Sequence, residues 1–327
     1  MKTGKVEAGK ALFKAMLEKE GFSDDEVALR FKNASSPDYW RKLNPQLNIC
    51  EGLNFDNFEE NPFSQEDTDK LLHQLKYEGY FSSGHSLISD EITSRMLLAV
   101  ENLRNAGWHE VWAFVYDEFW QVTRTPSMHR LLSGHLGNKY MALPHVVVHY
   151  VHPETGAGWN PHIDFSDRDD RFTVWFPISD STLDNGCMYV VAKNRIPAAL
   201  IQKFVHANDL TCQEVRALLH NTKALPVPAG SMLGWEGDVV HWGATSTKET
   251  QPRVSLSVVY VKENIDPLPD EIPLLLPTQI PDYPTRMISI AKAIRYYKIH
   301  VLTLKKFDGI AKLVIDTFKE EVLLKYQ

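Results

Sequence analysis

The sequence predicts an α+β protein, with an antiparallel β core, sandwich or barrel, flanked by helices at both ends. Two observations carry that expectation. Between residues 145 and 261 the chain holds several short β-branched and aromatic runs separated by turn signals, the pattern of strands joined by tight connections. On either side of that stretch, apolar residues recur at helical rather than alternating spacing. With 327 residues, 43% of them hydrophobic, the chain can bury a sizeable core.

Residues 1–110 are read as a helical N-terminal region. Val6, Leu12, Phe13, Met16 and Leu17 recur at helical spacing. Ser23-Asp24-Asp25-Glu26 and Ser64-Gln65-Glu66-Asp67 each set a hydroxyl three residues before an acid, so that each side chain can cap the other's backbone N–H at a helix start. A further helix is predicted over Asp90 to Asn105, with Ile92, Met96, Leu97, Val100 and Leu103 on its apolar side.

Residues 111–265 are read as the β core. Its strands are expected around His145-Val146-Val147-Val148-His149-Tyr150-Val151, Phe172-Thr173-Val174-Trp175-Phe176, Met188-Tyr189-Val190-Val191 and Val254 to Val261. Pro153-Glu154-Thr155-Gly156, Asp184-Asn185-Gly186, Pro228-Ala229-Gly230 and Glu236-Gly237-Asp238 supply the turns. A helical insert is expected near 197–219. Residues 266–327 begin with an extended segment holding five prolines between Leu268 and Pro284, and continue with a helical pattern from Met287 to Lys325. The three parts are expected to form one integrated domain.

Composition excludes some classes. A net charge of −7 and a pI near 6.0 argue against a nucleic-acid binder, which usually carries a basic stripe. Cys50, Cys187 and Cys212 stand far apart, which fits neither a disulfide scaffold nor a zinc finger but does fit a reducing compartment. The start of the chain has no apolar core of a secretion signal, and no apolar run approaches the ~20 residues of a membrane span. A cytoplasmic location is expected. The basic, apolar-aromatic stretch from Met287 to Leu313 is read first as a helix packed on the core. Its second reading is a helix on an anionic membrane surface, which would hold the protein peripherally on the inner face of a membrane.

The most informative residues are His162-Ile163-Asp164, His241 and Arg253. On a strand or at its end, side chains two apart share a face, so His162 and Asp164 would present two ligands to one point. His241 follows a Gly-Asp turn and could bring a third ligand from a strand across a barrel mouth. Two imidazoles and a carboxylate form the ligand set of non-haem Fe(II) oxygenases. Arg253 opens the strongest strand of the chain, and a buried guanidinium there needs a partner: an internal acid, or the carboxylate of a dicarboxylate co-substrate.

Taken in order, these residues resemble the phytanoyl-CoA dioxygenase family of Fe(II)/2-oxoglutarate-dependent oxygenases. The likeness runs from Leu75-Lys76-Tyr77-Glu78-Gly79-Tyr80-Phe81 through Pro161-His162-Ile163-Asp164, Thr173-Val174-Trp175 and Asp184 to Val191, and ends with Gly237 to His241 and Arg253-Val254-Ser255. It implies a double-stranded β-helix, a cupin-like jelly roll. It implies iron ligands at His162, Asp164 and His241, with 2-oxoglutarate and O2 as co-substrates. Arg253 would hold the distal carboxylate of 2-oxoglutarate, helped by Ser255, with Trp175 nearby. The chain departs from the family where Ala192-Lys193-Asn194-Arg195 replaces Pro-Gly-Ser-His. It also leaves open whether His149 or Tyr150 faces the co-substrate. Within that resemblance a carboxylate at position 164 favours hydroxylation, with desaturation or ring closure left open, and the expected substrate is a small or lipid-linked metabolite. The pocket is expected to be built by the N-terminal helices, the loop from Pro153 to Asn160 and the segment from Phe165 to Arg171. The alternatives are a cupin-like metalloenzyme that does not use 2-oxoglutarate and a non-catalytic jelly-roll sensor.

Overall fold

A computed structural model describes residues 21–56, 58–153, 156–165, 170–193, 195–206, 209–247, 251–262 and 274–325. The expected periodicity from Val6 to Leu17 lies outside the described residues, as does most of the charged segment between Phe165 and Arg171.

The strands are β1 (Tyr80–Ser82), β2 (Met141–Val151), β3 (Arg171–Pro177), β4 (Met188–Val191), β5 (Thr222–Leu225), β6 (Leu233–Glu236), β7 (His241–Gly243) and β8 (Arg253–Val261). They form a five-stranded sheet in the order β1-β6-β3-β8-β2 and a three-stranded sheet in the order β5-β4-β7. All the pairings are antiparallel. The protein is therefore α+β with antiparallel sheets.

Strand alternation assigns each face of the large sheet a different neighbour. In β3, Phe172, Val174 and Phe176 join a large core shared with the helices, together with Val254, Leu256, Val258 and Tyr260 of β8. Trp175 instead packs with Met188, Val190, Leu225, Leu233 and Trp235 in a second core between the two sheets. With both faces covered, every residue of β3 is buried. Register carries the inner face from strand to strand: Trp175 stands opposite Ser257, and Val147 opposite Ser257 from the other side.

The helix starts follow the sequence. Ser23 and Glu26 form a reciprocal cap on the helix Asp24–Ala34, and Ser64 and Asp67 do the same for Gln65–Glu78. The latter helix ends at Gly79, whose φ of 76° requires a residue without Cβ, and the chain turns directly into β1. The helix Asp90–Asn105 has its expected bounds and buries Met96, Val100 and Leu103. The insert is two helices, Ala198–Val205 and Cys212–Asn221.

One stretch departs from the sequence reading. Residues expected to begin the β core at 111 are helical: the turns Glu110–Val115 and Val122–Arg124, and the helices Asp117–Gln121 and Pro126–Leu136. After β1, which joins the five-stranded sheet from the N-terminal region, the next strand begins only at Met141. All of Glu110–Val115 is buried, so no amphipathic period marks it.

The C-terminal helix Tyr283–Tyr297 lies against β2 and buries Met287, Ile290, Ala291 and Ile294. It is fastened by Arg286, which is 1% exposed. Arg286 pairs with Asp117 at 2.6 Å and donates to the carbonyls of Val115 and Pro281, each at 2.7 Å. A last helix, Asp308–Lys325, packs back on it. Among the described residues, no helix is long and apolar enough to cross a membrane.

Candidate metal and co-substrate site

The candidate metal ligands converge beside the small sheet. His162 forms a single antiparallel bridge with His241, its N–H and C=O exchanging bonds of 3.1 and 3.0 Å with those of His241. The two histidines are therefore backbone neighbours rather than residues facing each other across a mouth. The chain bends immediately after the bridge, and this returns Asp164 to the same point. Asp164 Oδ1 lies 3.6 Å from His162 Nε2 and 3.7 Å from His241 Nε2. Ligand atoms of all three residues lie within 4.8 Å of one another, close enough to hold one metal ion.

Each ligand is oriented by a second partner. His162 Nδ1 donates to the Asn160 carbonyl at 2.7 Å, and His241 Nδ1 to the Val239 carbonyl at 3.0 Å. A proton held on Nδ1 leaves the Nε2 lone pair for a metal. Asp164 Oδ2 accepts Thr173 Oγ1 at 2.7 Å and Trp235 Nε1 at 3.0 Å, and Oδ1 is left for the ion. Burial acts to raise the Asp164 pKa, but the facing imidazoles and the Thr173 hydroxyl outweigh it and hold the carboxyl below the usual range. Burial pushes His241 down to about 4. For His162 burial acts in the same direction, but the Asp164 carboxylate and the Asn160 carbonyl win and raise it.

Arg253 stands on the same cavity wall as the triad and is 2% exposed. It donates to the Gly186 carbonyl, reaches Met188 Sδ at 3.7 Å and lies over the Trp175 ring at 5.8 Å. Its Nε has no partner, and among the described residues no carboxylate lies within 4.0 Å of it. The sequence left open an internal acid as the partner of this residue, and the described residues supply none within that distance. Burial lowers its pKa to about 10, so it remains a cation at neutral pH. Gly243 makes the space: a Cβ there would come within 2.9 Å of the guanidinium nitrogens.

Of the other expected site residues, Trp175 lines the cavity at the triad. Ser255 is fully buried with its hydroxyl unpartnered, and it does not line the cavity. Ser257, one strand repeat further on, does line it and bonds His149 Nε2 at 3.1 Å. The choice between His149 and Tyr150 is resolved as well. His149 faces the triad compartment, and burial and the Arg253 charge push its pKa down to about 3. Tyr150 packs on the helical core under Arg104, 3.6 Å from its ring.

The triad compartment, about 180 Å³, lies beside a larger cavity of about 750 Å³. The walls differ from expectation. The described part of the 153–160 loop contributes Ala157 to Asn160, but from the N-terminal region only His109 and Glu110 take part, followed by Val111. The opposite wall comes from the C-terminal segment through Ala293, Tyr297, Ile299, His300, Val301 and Leu304. Nothing in the sequence marks Tyr297 or His300 as site residues, because they lie far from the motif. Thr173 carried a weak signal as a polar residue in an apolar strand.

Comparison with known proteins bears on this geometry. The phytanoyl-CoA dioxygenase family model matches residues 91–253. No curated protein matches the chain. Among solved structures, the non-heme alpha ketoglutarate dependent carbocyclase SnoK from nogalamycin biosynthesis is 16% identical, with a TM-score of 0.50, over 66% of this chain and 100% of its own. The non-heme monooxygenase ThoJ, in its nickel complex, is 13% identical, with a TM-score of 0.51, over 72% of this chain and 99% of its own. These likenesses are of fold. The family match takes in His162, Asp164, His241, Trp175 and Arg253, and the chain belongs to the phytanoyl-CoA dioxygenase family.

Proposed function

We propose that the protein is an Fe(II)/2-oxoglutarate-dependent oxygenase that hydroxylates an aliphatic C–H bond of a small or lipid-linked substrate, releasing succinate and CO2. Arg253 carries the reading. A buried guanidinium with an unpartnered Nε, and with no acid in reach among the described residues, calls for an anion. The distal carboxylate of 2-oxoglutarate would supply that anion in bidentate fashion. The donor set fits the metal equally well: His162 Nε2, His241 Nε2 and Asp164 Oδ1 converge, and the other polar atom of each ligand is already bonded. Two imidazoles and one carboxylate suit iron(II) and leave coordination positions open.

When bound, iron, 2-oxoglutarate and O2 supply the oxidising chemistry. The chain's own residues orient and enclose. The Asn160 and Val239 carbonyls fix the imidazole tautomers, and Thr173 and Trp235 hold the carboxylate in place. Trp175 and Met188 wall the guanidinium. His149, kept neutral, stands with Ser257 at the co-substrate side. The larger cavity offers Val146, Val148, Ala293, Val301 and Leu304 to an apolar substrate. Its volume falls within the range of small-molecule sites, roughly 300–1,000 Å³.

The β core of this reading is a double-stranded β-helix, supported by the way the chain passes between the two sheets from β3 to β8. Tyr296 and Ile299, which line the two cavities, are exposed, and through them a lipid-linked substrate could be taken from a membrane surface. The test is a succinate-release screen over amino acids, acyl thioesters, sugars and lipid precursors. Succinate should appear with one class and disappear in Asp164→Ala. Oxygen uptake that does not depend on 2-oxoglutarate would overturn the reading in favour of a cupin-like enzyme of another kind.

A further inference from the structure

Tyr297 closes the helix Tyr283–Tyr297, outside the residues matched by the family. It lines both the triad compartment and the larger cavity, and so stands where they meet. Its ring packs on Trp159 at 5.6 Å, and Trp159 packs in turn on the ligand His162 at 5.6 Å and on His149 at 5.4 Å. The Tyr297 hydroxyl has no hydrogen-bond partner among the described residues, although the ring is half-buried. Burial first, and then the Asp164 charge, raise its pKa, so the phenol keeps its proton and can donate. The helix that carries it is rigidly placed by the buried Arg286–Asp117 pair. The larger cavity joins aromatic and aliphatic side chains, Trp159, Val146, Val148, Ala293, Val301 and Leu304, to polar ones, His109, Glu110, Asn160 and His300. A phenol whose proton is unpaired, beside the candidate metal ligands and bordered by aliphatic side chains, favours a ligand that brings an acceptor to that point.

We propose that Tyr297 is a substrate-positioning residue, whose phenol donates a hydrogen bond to a carbonyl, ether or hydroxyl oxygen of the substrate and so fixes which carbon faces the metal. This rests on the oxygenase reading above, which names the site but not what the substrate must carry. The substrate class is thereby narrowed to molecules with an oxygen acceptor close to the oxidised carbon.

The test compares matched probes that differ in one oxygen, 4-phenyl-2-butanone and butylbenzene. Each is titrated calorimetrically into the full-length protein loaded with iron(II) and 2-oxoglutarate under anaerobic conditions. The wild type should bind the ketone roughly fivefold more tightly, the worth of one hydrogen bond. Tyr297→Phe, which keeps the ring, should bind the two probes equally and keep the wild-type affinity for butylbenzene. A merely structural role would weaken both probes together. Persistence of the ketone preference in Tyr297→Phe overturns the proposal, as does a wild type that fails to distinguish or to bind the pair. Failure of the oxygenase reading would show separately, as loss of the iron–2-oxoglutarate absorption band before any probe is added.

Discussion

Asp164 divides its two oxygens between two tasks. Oδ2 takes the Thr173 hydroxyl and the Trp235 indole N–H, while Oδ1 faces the imidazoles. Thr173→Val preserves shape and removes one of these bonds. It should weaken iron binding about 10- to 100-fold, as losses of such supporting groups typically do, with little change in folding; unchanged affinity in a metal titration would show that Thr173 does not hold the ligand. His135 offers a test away from the site. It packs on Phe172 at 4.9 Å, and burial, with the charges of Lys262 and Lys193, pushes its pKa from 6.5 down to about 4. Between those values the unfolded chain binds the proton and the folded chain does not, so stability falls as pH is lowered. On going from pH 7.5 to pH 5, denaturant melts should show His135→Asn losing about 1–2 kcal/mol less than the wild type. An equal loss in both would contradict the buried neutral histidine.

At the scale of elements, the features legible in the sequence are those set by local chemistry. Ser23 with Glu26, and Ser64 with Asp67, announced their helices because a cap needs only the residues it joins. The helix Asp90–Asn105 was readable because one face is buried and the other is not. The run Val111-Trp112-Ala113-Phe114-Val115 was not, because every side of it is buried and no period survives. The triad was legible as a motif, but its geometry was not: the direct bridge between His162 and His241 is a long-range pairing that no spacing encodes. The C-terminal helix as a cavity wall was hidden for the same reason. Its anchor is open to measurement. Asp117 is 1% exposed, pairs with Arg286 and also accepts the N–H groups of Cys50 and Glu51 at 2.7 and 2.8 Å. Asp117→Ala strands a buried guanidinium and should cost about 3–5 kcal/mol in urea melts. A loss under 1 kcal/mol would mean that the helix is held in place by its apolar face alone.

Across the whole molecule, the two sheets and the C-terminal segment place three kinds of group around one cavity. The small sheet and the bend after His162 bring together three residues that could hold a metal, β8 brings a buried guanidinium, and the C-terminal segment brings a wall of Ala293, Tyr297, His300 and Leu304. Each suits one component: the triad an ion, the guanidinium a carboxylate, and the cavity a substrate of matching shape. The family match covers the first two and stops at Arg253, before the third. The most direct measurement is an anaerobic titration of the iron(II) protein with 2-oxoglutarate, followed by the visible charge-transfer band of the chelate. The wild type should show a saturable band, and Arg253→Met should need about 30-fold more 2-oxoglutarate or beyond, the cost of removing one partner of a buried charge pair, while binding iron as before. Absence of the band in the wild type, or an unshifted titration in Arg253→Met, would contradict the account.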